Sequence, residues 1–153
     1  MLKRSTTILT GAAALGLASL VACSDSSGTT GPGFGDLEFT PSFENIGSGR
    51  SLELTLTNAS TAAQGPIFVG LDALFETASP DSLCSSIKVN VTPAQIASLA
   101  SNADAAVSVS IDTQNVDNVD CPPAQYDADI YASVDGRILG GATVRFDWTG
   151  TPP

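Results

Sequence analysis

The sequence predicts an all-β domain, a two-layered sandwich of seven strands with at most one short helix. Apolar and polar residues alternate with a period of two over seven short stretches, the pattern of strands with one buried face and one wet face. Such alternation is typical of antiparallel sheets that pack one side on a core. Seven short strands within about 110 residues are the content expected of a single sandwich.

The predicted strands follow one another at short intervals. In chain order they cover residues 37–40, 52–57, 67–71, 87–92, 107–112, 126–133 and 142–148. The sixth and seventh are separated by Asp135-Gly136, a dipeptide that predicts a tight type I′ hairpin turn. Residues 93–101 are the helical candidate, because Pro93 suits a first turn and Asn102 suits the position after a helix end. An irregular crossover loop is the alternative for this segment.

Two segments carry a resemblance to a known fold. Residues 89–112 read VNVTPAQIASLASNADAAVSVSID, and residues 124–148 read AQYDADIYASVDGRILGGATVRFDW. The first resembles the middle of bacterial immunoglobulin-like modules, and the second resembles their closing hairpin, with Tyr126 where such folds often place a tyrosine. The resemblance implies a seven-stranded immunoglobulin-like sandwich, here without the Cys…Trp…Cys framework of antibody domains. A fold alone does not define a function.

The first 22 residues have the layout of a bacterial export signal. Lys3 and Arg4 form a charged start, and residues 8–22 carry no charge. This apolar stretch is shorter than the roughly 20 residues needed to cross a bilayer. An ordinary signal peptide cut near Ala22 and an apolar cytosolic helix are the alternatives.

A lipidation motif ends this signal. Residues 20–23 read Leu-Val-Ala-Cys and resemble the lipobox of bacterial lipoproteins. The resemblance implies diacylglycerol on the Cys23 thiol, cleavage before Cys23 and usually N-acylation of the new terminus. Two or three acyl chains anchor a protein firmly to a membrane. Ser24, in place of Asp, resembles the pattern sorted to the outer membrane in enteric bacteria, so we expect a cell-envelope protein in the outer rather than the inner membrane.

A flexible tether is predicted between the lipid and the sandwich. Residues 24–35 read SDSSGTTGPGFG, and with Phe34 as their one large apolar side chain they bury too little surface to fold. A chain of this length has a root-mean-square reach of about 20 Å. The predicted domains are the signal peptide 1–22, lipidated cysteine and tether 23–35, sandwich 36–149 and tail 150–153.

Charge and composition exclude several classes of function. The precursor has 16 acidic and 6 basic residues, and cleavage removes Lys3 and Arg4, so 4 bases against 16 acids leave a net charge of −12. Nucleic acid and anionic lipid are therefore poor partners, whereas cationic partners and divalent metal are favoured. The chain has no histidine, which excludes imidazole metal sites and histidine-dependent catalysis.

Two cysteines remain once Cys23 is lipidated. In an exported protein Cys84 and Cys121 are expected to form a disulfide with each other. The competing interpretation is a pair of reduced, buried thiols.

An acidic segment, residues 112–120, is a candidate metal site. It reads DTQNVDNVD, and Asp112, Asp117 and Asp120 supply carboxylates of the kind that calcium prefers, six to eight oxygens on a flexible loop. The spacing is not that of an EF-hand and the loop contains no glycine. The alternative is a solvated acidic connection without metal, and we expect no other cofactor.

Two aromatic residues fall on the predicted wet faces of their strands. Phe68 and Tyr131 would stack on a glycan or contact an envelope protein partner if they are exposed. No phosphate-binding loop, dinucleotide fingerprint or nucleophile elbow is present. The sequence therefore predicts a membrane-anchored, non-catalytic binding or structural module, with a calcium- or glycan-binding surface module using residues 112–120 as the alternative.

Overall fold

The structure, a computed structural model, describes residues 35–150. The predicted signal peptide, Cys23 and most of the tether lie outside the described residues. Within the described range the chain forms ten strands and no helix. In chain order the strands are β1 (Leu37–Thr40), β2 (Phe43–Asn45), β3 (Ser51–Asn58), β4 (Ile67–Glu76), β5 (Ser79–Leu83), β6 (Lys88–Thr92), β7 (Gln95–Ile96), β8 (Asp104–Asp112), β9 (Ala124–Val134) and β10 (Arg137–Trp148).

The strands form the two sheets of an immunoglobulin-like sandwich. One sheet has four strands in the order β1-β3-β8-β6, and the other has six in the order β2-β10-β9-β4-β5, with β7 also paired to β4. The first order is that of the A-B-E-D sheet of the immunoglobulin fold, and β10-β9-β4 correspond to its G-F-C sheet. The predicted fold class is confirmed.

The N-terminal strand passes from one sheet to the other. β1 pairs antiparallel with β3, and after Pro41 and Ser42 the chain joins the second sheet as β2, parallel to β10. The backbone amide of Thr143 donates to the Ser42 carbonyl at 2.9 Å, which continues this pairing. The first segment of the domain therefore covers an edge of both sheets.

Three strands were not expected from the sequence, and the predicted helix is wrong. β2 and β5 are wholly exposed and show no alternation, so only their neighbours β10 and β4 define them. Residues 93–101 contain β7, in which Ile96 pairs with Ile67 and Gln95 with Phe68. Pairing with the edge of β4 outcompetes the helix, and the crossover-loop alternative is closer to the observed path.

The core lies between the sheets in two clusters. Alternate residues of the long strands point inwards as predicted. The cluster nearer the start of β1 is aliphatic except for Phe39, and Leu56, Val107 and Ile130 in it are fully buried. The second cluster surrounds Cys121 and contains Tyr126, Phe146 and Trp148. The Tyr126 hydroxyl donates to the Pro122 carbonyl at 2.8 Å, the bond of a tyrosine corner. The clusters therefore differ in chemistry at the two ends of the sandwich.

The two ends of the sandwich are called the anchor end and the far end, according to where the described chain begins. The anchor end contains Gly35, where the described chain begins, and the turn between β9 and β10. That turn is the predicted type I′ hairpin, because Asp135 and Gly136 both have positive φ, 51° and 75°. The far end contains the disulfide and residues 112–123, at the opposite end of β8, β9 and β10. No helix among the described residues is long and apolar enough to cross a membrane.

Candidate functional site

The outer face of the six-stranded sheet carries an exposed apolar surface. Ser133 pairs with Phe68 on one side and with Ile138 on the other, so these three side chains form one row across β4, β9 and β10. Phe68 is 44% exposed and Ile138 47% exposed, whereas Ser133 between them is only 7% exposed. The two large side chains therefore shield the serine, and with Tyr131 they form what we call the apolar ledge, Phe68, Tyr131 and Ile138.

Tyr131 lies flat because glycine faces it. In the next row its partner on β4 is Gly70 and its partner on β10 is Gly141. A Cβ atom placed on Gly70 would lie 3.1 Å from the Tyr131 hydroxyl oxygen and 3.2 Å from its ring. The ring therefore extends across the neighbouring strand and is half-buried, so both predicted aromatic residues lie on one outer face, as expected.

Ile138 was missed by the sequence interpretation for a specific reason. Counting back from the inward residues Ala142 and Val144 in steps of two places residue 138 inside the sandwich. The pairing of β9 and β10 shifts between Ile138 and Gly140, where Leu139 is an extra residue of β10. This β-bulge turns Ile138 outwards and Leu139 into the core. The one sequence feature that indicates this bulge is the position of Ile138 between Gly136 and the Gly140-Gly141 pair.

Further along the same face the polar side chains are engaged with one another. The Arg145 guanidinium donates to the Asp127 carboxylate through Nε and Nη2, at 2.7 and 2.8 Å. Arg145 also lies over the Phe43 ring, 5.1 Å from its centroid. The Thr143 hydroxyl donates to Asp129 at 2.7 Å. This polar network ties β2, β10 and β9 together towards the far end of the face.

The surroundings of Asp129 alter the pKa of its carboxyl group. Burial disfavours its ionised form and raises its pKa, and the carboxylates of Asp127 and Asp72 act in the same direction. The hydrogen bond from Thr143 opposes this shift without cancelling it. Asp129 is therefore a carboxyl group whose ionisation works against the folded state.

The structure does not bring the three predicted calcium ligands together. Asp112 accepts from the Gln114 amide at 2.9 Å, and Asp117 accepts from the Val119 amide at 2.8 Å, each closing a local turn. Among the described residues one group of three possible ligand atoms lies within 4.8 Å of one another, and it comprises Asp120 with Cys84 and Cys121. These local bonds favour the alternative of an acidic connection without metal, while calcium binding by residues 112–120 stays an untested prediction.

The two cysteines form the predicted disulfide. Cys84 and Cys121 are joined with a Cα–Cα distance of 5.2 Å and a sequence separation of 37. Both are buried, so their sulfur atoms are part of the second core cluster. The bond closes the far end of the sandwich, where it connects the segment after β5 to the segment before β9.

Asp120 holds the segment beside the disulfide. Its Oδ2 accepts from the backbone amides of Ser85 and Ser86, at 3.0 and 2.7 Å, and from the Ser86 hydroxyl at 2.6 Å. The Ser86 hydroxyl contributes most to a lowered pKa of Asp120, followed by the two amides. Asp120 is therefore a structural carboxylate, whose Oδ2 atom is engaged by Ser85 and Ser86 of the same chain.

No protein-family model matches the chain, and no curated protein matches it. Among solved structures it is similar to the periplasmic chaperone SfaE, at 12% identity and a TM-score of 0.42, over 76% of this chain and 61% of the chaperone. It is also similar to the CooA pilin subunit from enterotoxigenic Escherichia coli, at 10% identity and a TM-score of 0.43, over 76% of this chain and 99% of the pilin. A protein of unknown function from Porphyromonas gingivalis W83 is 9% identical with a TM-score of 0.43, over 81% of this chain and 51% of that one.

The chain thus spans about three fifths of the length of SfaE and half that of the Porphyromonas protein. These likenesses are too distant to carry an argument about function. The class of molecule rests on the sheets themselves, which define a β-sandwich module of immunoglobulin-like type.

Proposed function

We propose that the protein is a cell-envelope lipoprotein, held by acyl chains on Cys23, whose sandwich is a non-catalytic contact module. The observation that carries the proposal is the lipobox at residues 20–23, followed by a tether that enters the sandwich at the anchor end. The apolar ledge, exposed on the outer face, is the surface that makes the contact. Exposed apolar groups bordered by polar residues are typical of interaction sites.

The engagement of the carboxylates supports a module without catalysis. A general acid or base must come within hydrogen-bond reach of the substrate atom whose proton it donates or removes. Asp127 is paired with Arg145, and Asp129 accepts from Thr143. Asp120 accepts from Ser86. Their bonding partners give each of these groups a structural task in the sandwich.

Membrane fractionation of the full-length precursor, produced in a Gram-negative host, tests the anchor. We expect the protein in the outer-membrane fraction and labelled by a radioactive or clickable fatty acid. Cys23→Ala should abolish labelling and prevent lipid-dependent processing. Ser24→Asp is the matched control, because it keeps the acyl attachment and should move the protein towards the inner membrane. Unlabelled wild-type protein in the soluble fraction would refute the lipoprotein assignment.

A further inference from the structure

We infer that the apolar ledge docks on the lipid surface to which Cys23 anchors the chain, so that the sandwich lies against the membrane on this face. The inference rests on the proposed lipidation and names the partner of the proposed contact surface. The partner is a bilayer surface of zwitterionic lipids. The interfacial region of such a bilayer accepts aromatic and aliphatic side chains without requiring basic residues.

The entry point of the chain is the first argument. A Cβ atom placed on Gly35 would lie 3.0 Å from the carbonyl oxygen of Leu139. Leu139 is the bulge residue next to Ile138 of the ledge. β1 then continues so close to β10 that a Cβ atom on Gly140 would collide with the Leu37 carbonyl oxygen. The described chain therefore meets the sandwich at the start of β10, one residue along the strand from Ile138 of the ledge.

The position of the ledge along the sheet is the second argument. Phe68 and Ile138 occupy the row of Ser133, next to the hairpin at the anchor end. Asp129 precedes Ser133 by four residues on β9. Strand rise places it about 13 Å from Ser133, towards the far end. The ledge therefore lies at the anchor end of the outer face, and the charged network, with Phe43 beneath Arg145, begins beyond it.

The tether makes a small apolar surface sufficient. Three side chains of this kind bind a bilayer weakly when the protein is free in solution. From their Gly- and Ser-rich composition we expect residues 24–34 to act as a linker with a root-mean-square reach of about 20 Å. A linker of this length gives an effective concentration of order millimolar. Docking is therefore a property of the anchored protein, and the unlipidated domain should not bind vesicles measurably.

Charge limits the lipid that fits. The mature chain has 4 basic and 16 acidic residues, so its net charge is −12, and Asp135 is exposed at the anchor end. Arg137 is the exposed base beside Ile138. Anionic headgroups repel such a domain, and this repulsion is screened by salt. Contact should therefore weaken as anionic lipid is added and recover at high ionic strength.

Fluorescence quenching in vesicles tests the inference with the lipidated, full mature protein. The protein is reconstituted in phosphatidylcholine vesicles with brominated acyl chains, which quench an indole only at close range. The native Trp148 is buried in the far-end cluster and donates to the Cys121 carbonyl, so its emission serves as the background. Phe68→Trp places a reporter in the ledge. Val119→Trp is the matched control, because Val119 is 91% exposed at the far end.

We expect the emission added by Phe68→Trp to fall by about half in brominated vesicles, because the new indole would lie in the interfacial region of the bilayer. The emission added by Val119→Trp should not fall. Adding Ile138→Asp to Phe68→Trp should restore emission, with circular dichroism verifying the fold. Equal quenching at both positions, or none at either while the protein floats with the vesicles, would overturn the docking and leave the lipoprotein assignment intact. Failure to float with vesicles would overturn both.

The same experiment separates a protein or glycan partner from the membrane. An unquenched Phe68→Trp reporter whose emission changes on addition of envelope extract would assign the ledge to such a partner. That outcome would contradict lipid docking.

Discussion

Arg145 and Asp127 face each other on neighbouring strands and form a two-point ion pair. The guanidinium donates from Nε and Nη2 to the two carboxylate oxygens, at 2.7 and 2.8 Å. The Asp127 side chain is 8% exposed and that of Arg145 29% exposed. A carboxylate this well covered depends on its partner, because a buried charge without one is strongly destabilising.

The contributions of Arg145 and Asp127 to stability should therefore be coupled. We expect Arg145→Met to lower the free energy of unfolding by about 1–3 kcal/mol, the cost of an unpaired and partly buried carboxylate. Asp127→Asn combined with Arg145→Met should be less destabilising than the sum of the single changes. Arg145→Lys is the control for charge without the planar two-point geometry. Urea denaturation of the four variants measures this coupling, and additive losses would contradict it.

The disulfide should stabilise the far end through the unfolded state. Cys84 and Cys121 close a loop with a sequence separation of 37. The double change Cys84→Ala and Cys121→Ala is expected to lower the free energy of unfolding by about 3–4 kcal/mol, from loop entropy. Dithiothreitol should lower the melting temperature of the wild type and leave that of the double variant unchanged. An effect of the reductant on the variant would show a different cause.

Asp120 should contribute to acid sensitivity. Because hydrogen bonds from Ser86 and Ser85 lower its pKa in the folded protein, its stabilising contribution is present above the unfolded value, about pH 4, and is lost as pH falls through the folded pKa. Asp120→Asn should flatten the acid limb of stability against pH. Ser86→Ala keeps the carboxylate and should move this limb towards pH 4. Unchanged acid limbs in both variants would refute this contribution.

Asp129 should act in the opposite direction. Because burial raises its pKa in the folded protein, its contribution is fully present below the unfolded value, about pH 4, and is lost as pH rises through the folded pKa. The stability of Asp129→Asn relative to wild type should therefore increase between pH 4 and neutrality. Chemical denaturation at a series of pH values measures this difference. Thr143→Val removes the hydrogen bond that opposes the rise in pKa. In a protein that keeps Asp129, this change should enlarge the loss of stability between pH 4 and neutrality.

Calcium should leave the stability of the domain almost unchanged. Asp112 and Asp117 each accept from a nearby backbone amide, and Asp120 is occupied by Ser85 and Ser86. We expect a change of melting temperature below about 1 °C in millimolar calcium after EDTA treatment. A rise of roughly 10 °C would instead establish a metal site in residues 112–120.

The features that the sequence predicts well depend on short-range patterns. Alternation identifies the inward residues of β3, β8 and β9, because the period of two is a property of each strand alone. The hairpin at Asp135-Gly136 and the disulfide also follow from local chemistry or from a choice between few partners. Phe68 and Tyr131 were correctly placed on one wet face for the same reason.

The features that it misses depend on partners distant in the chain. β7 is defined by the edge of β4, which overrides a helical pattern containing Pro93 and Asn102. Asn58 ends β3, and its side chain is fully buried and donates to the carbonyls of Ala62 and Leu99. The second of these partners is 41 residues away. No local pattern specifies such a contact.

The passage of the N-terminal segment between the sheets has a mechanical consequence. A pull applied to the chain at Gly35 would run along β1, which is held to β3 by four residue pairs. Hydrogen bonds loaded together in shear resist force collectively, whereas bonds opened one after another do not. β2, parallel to β10, takes up the same load on the second sheet. A load applied at Gly35 would therefore be shared between both sheets of the sandwich.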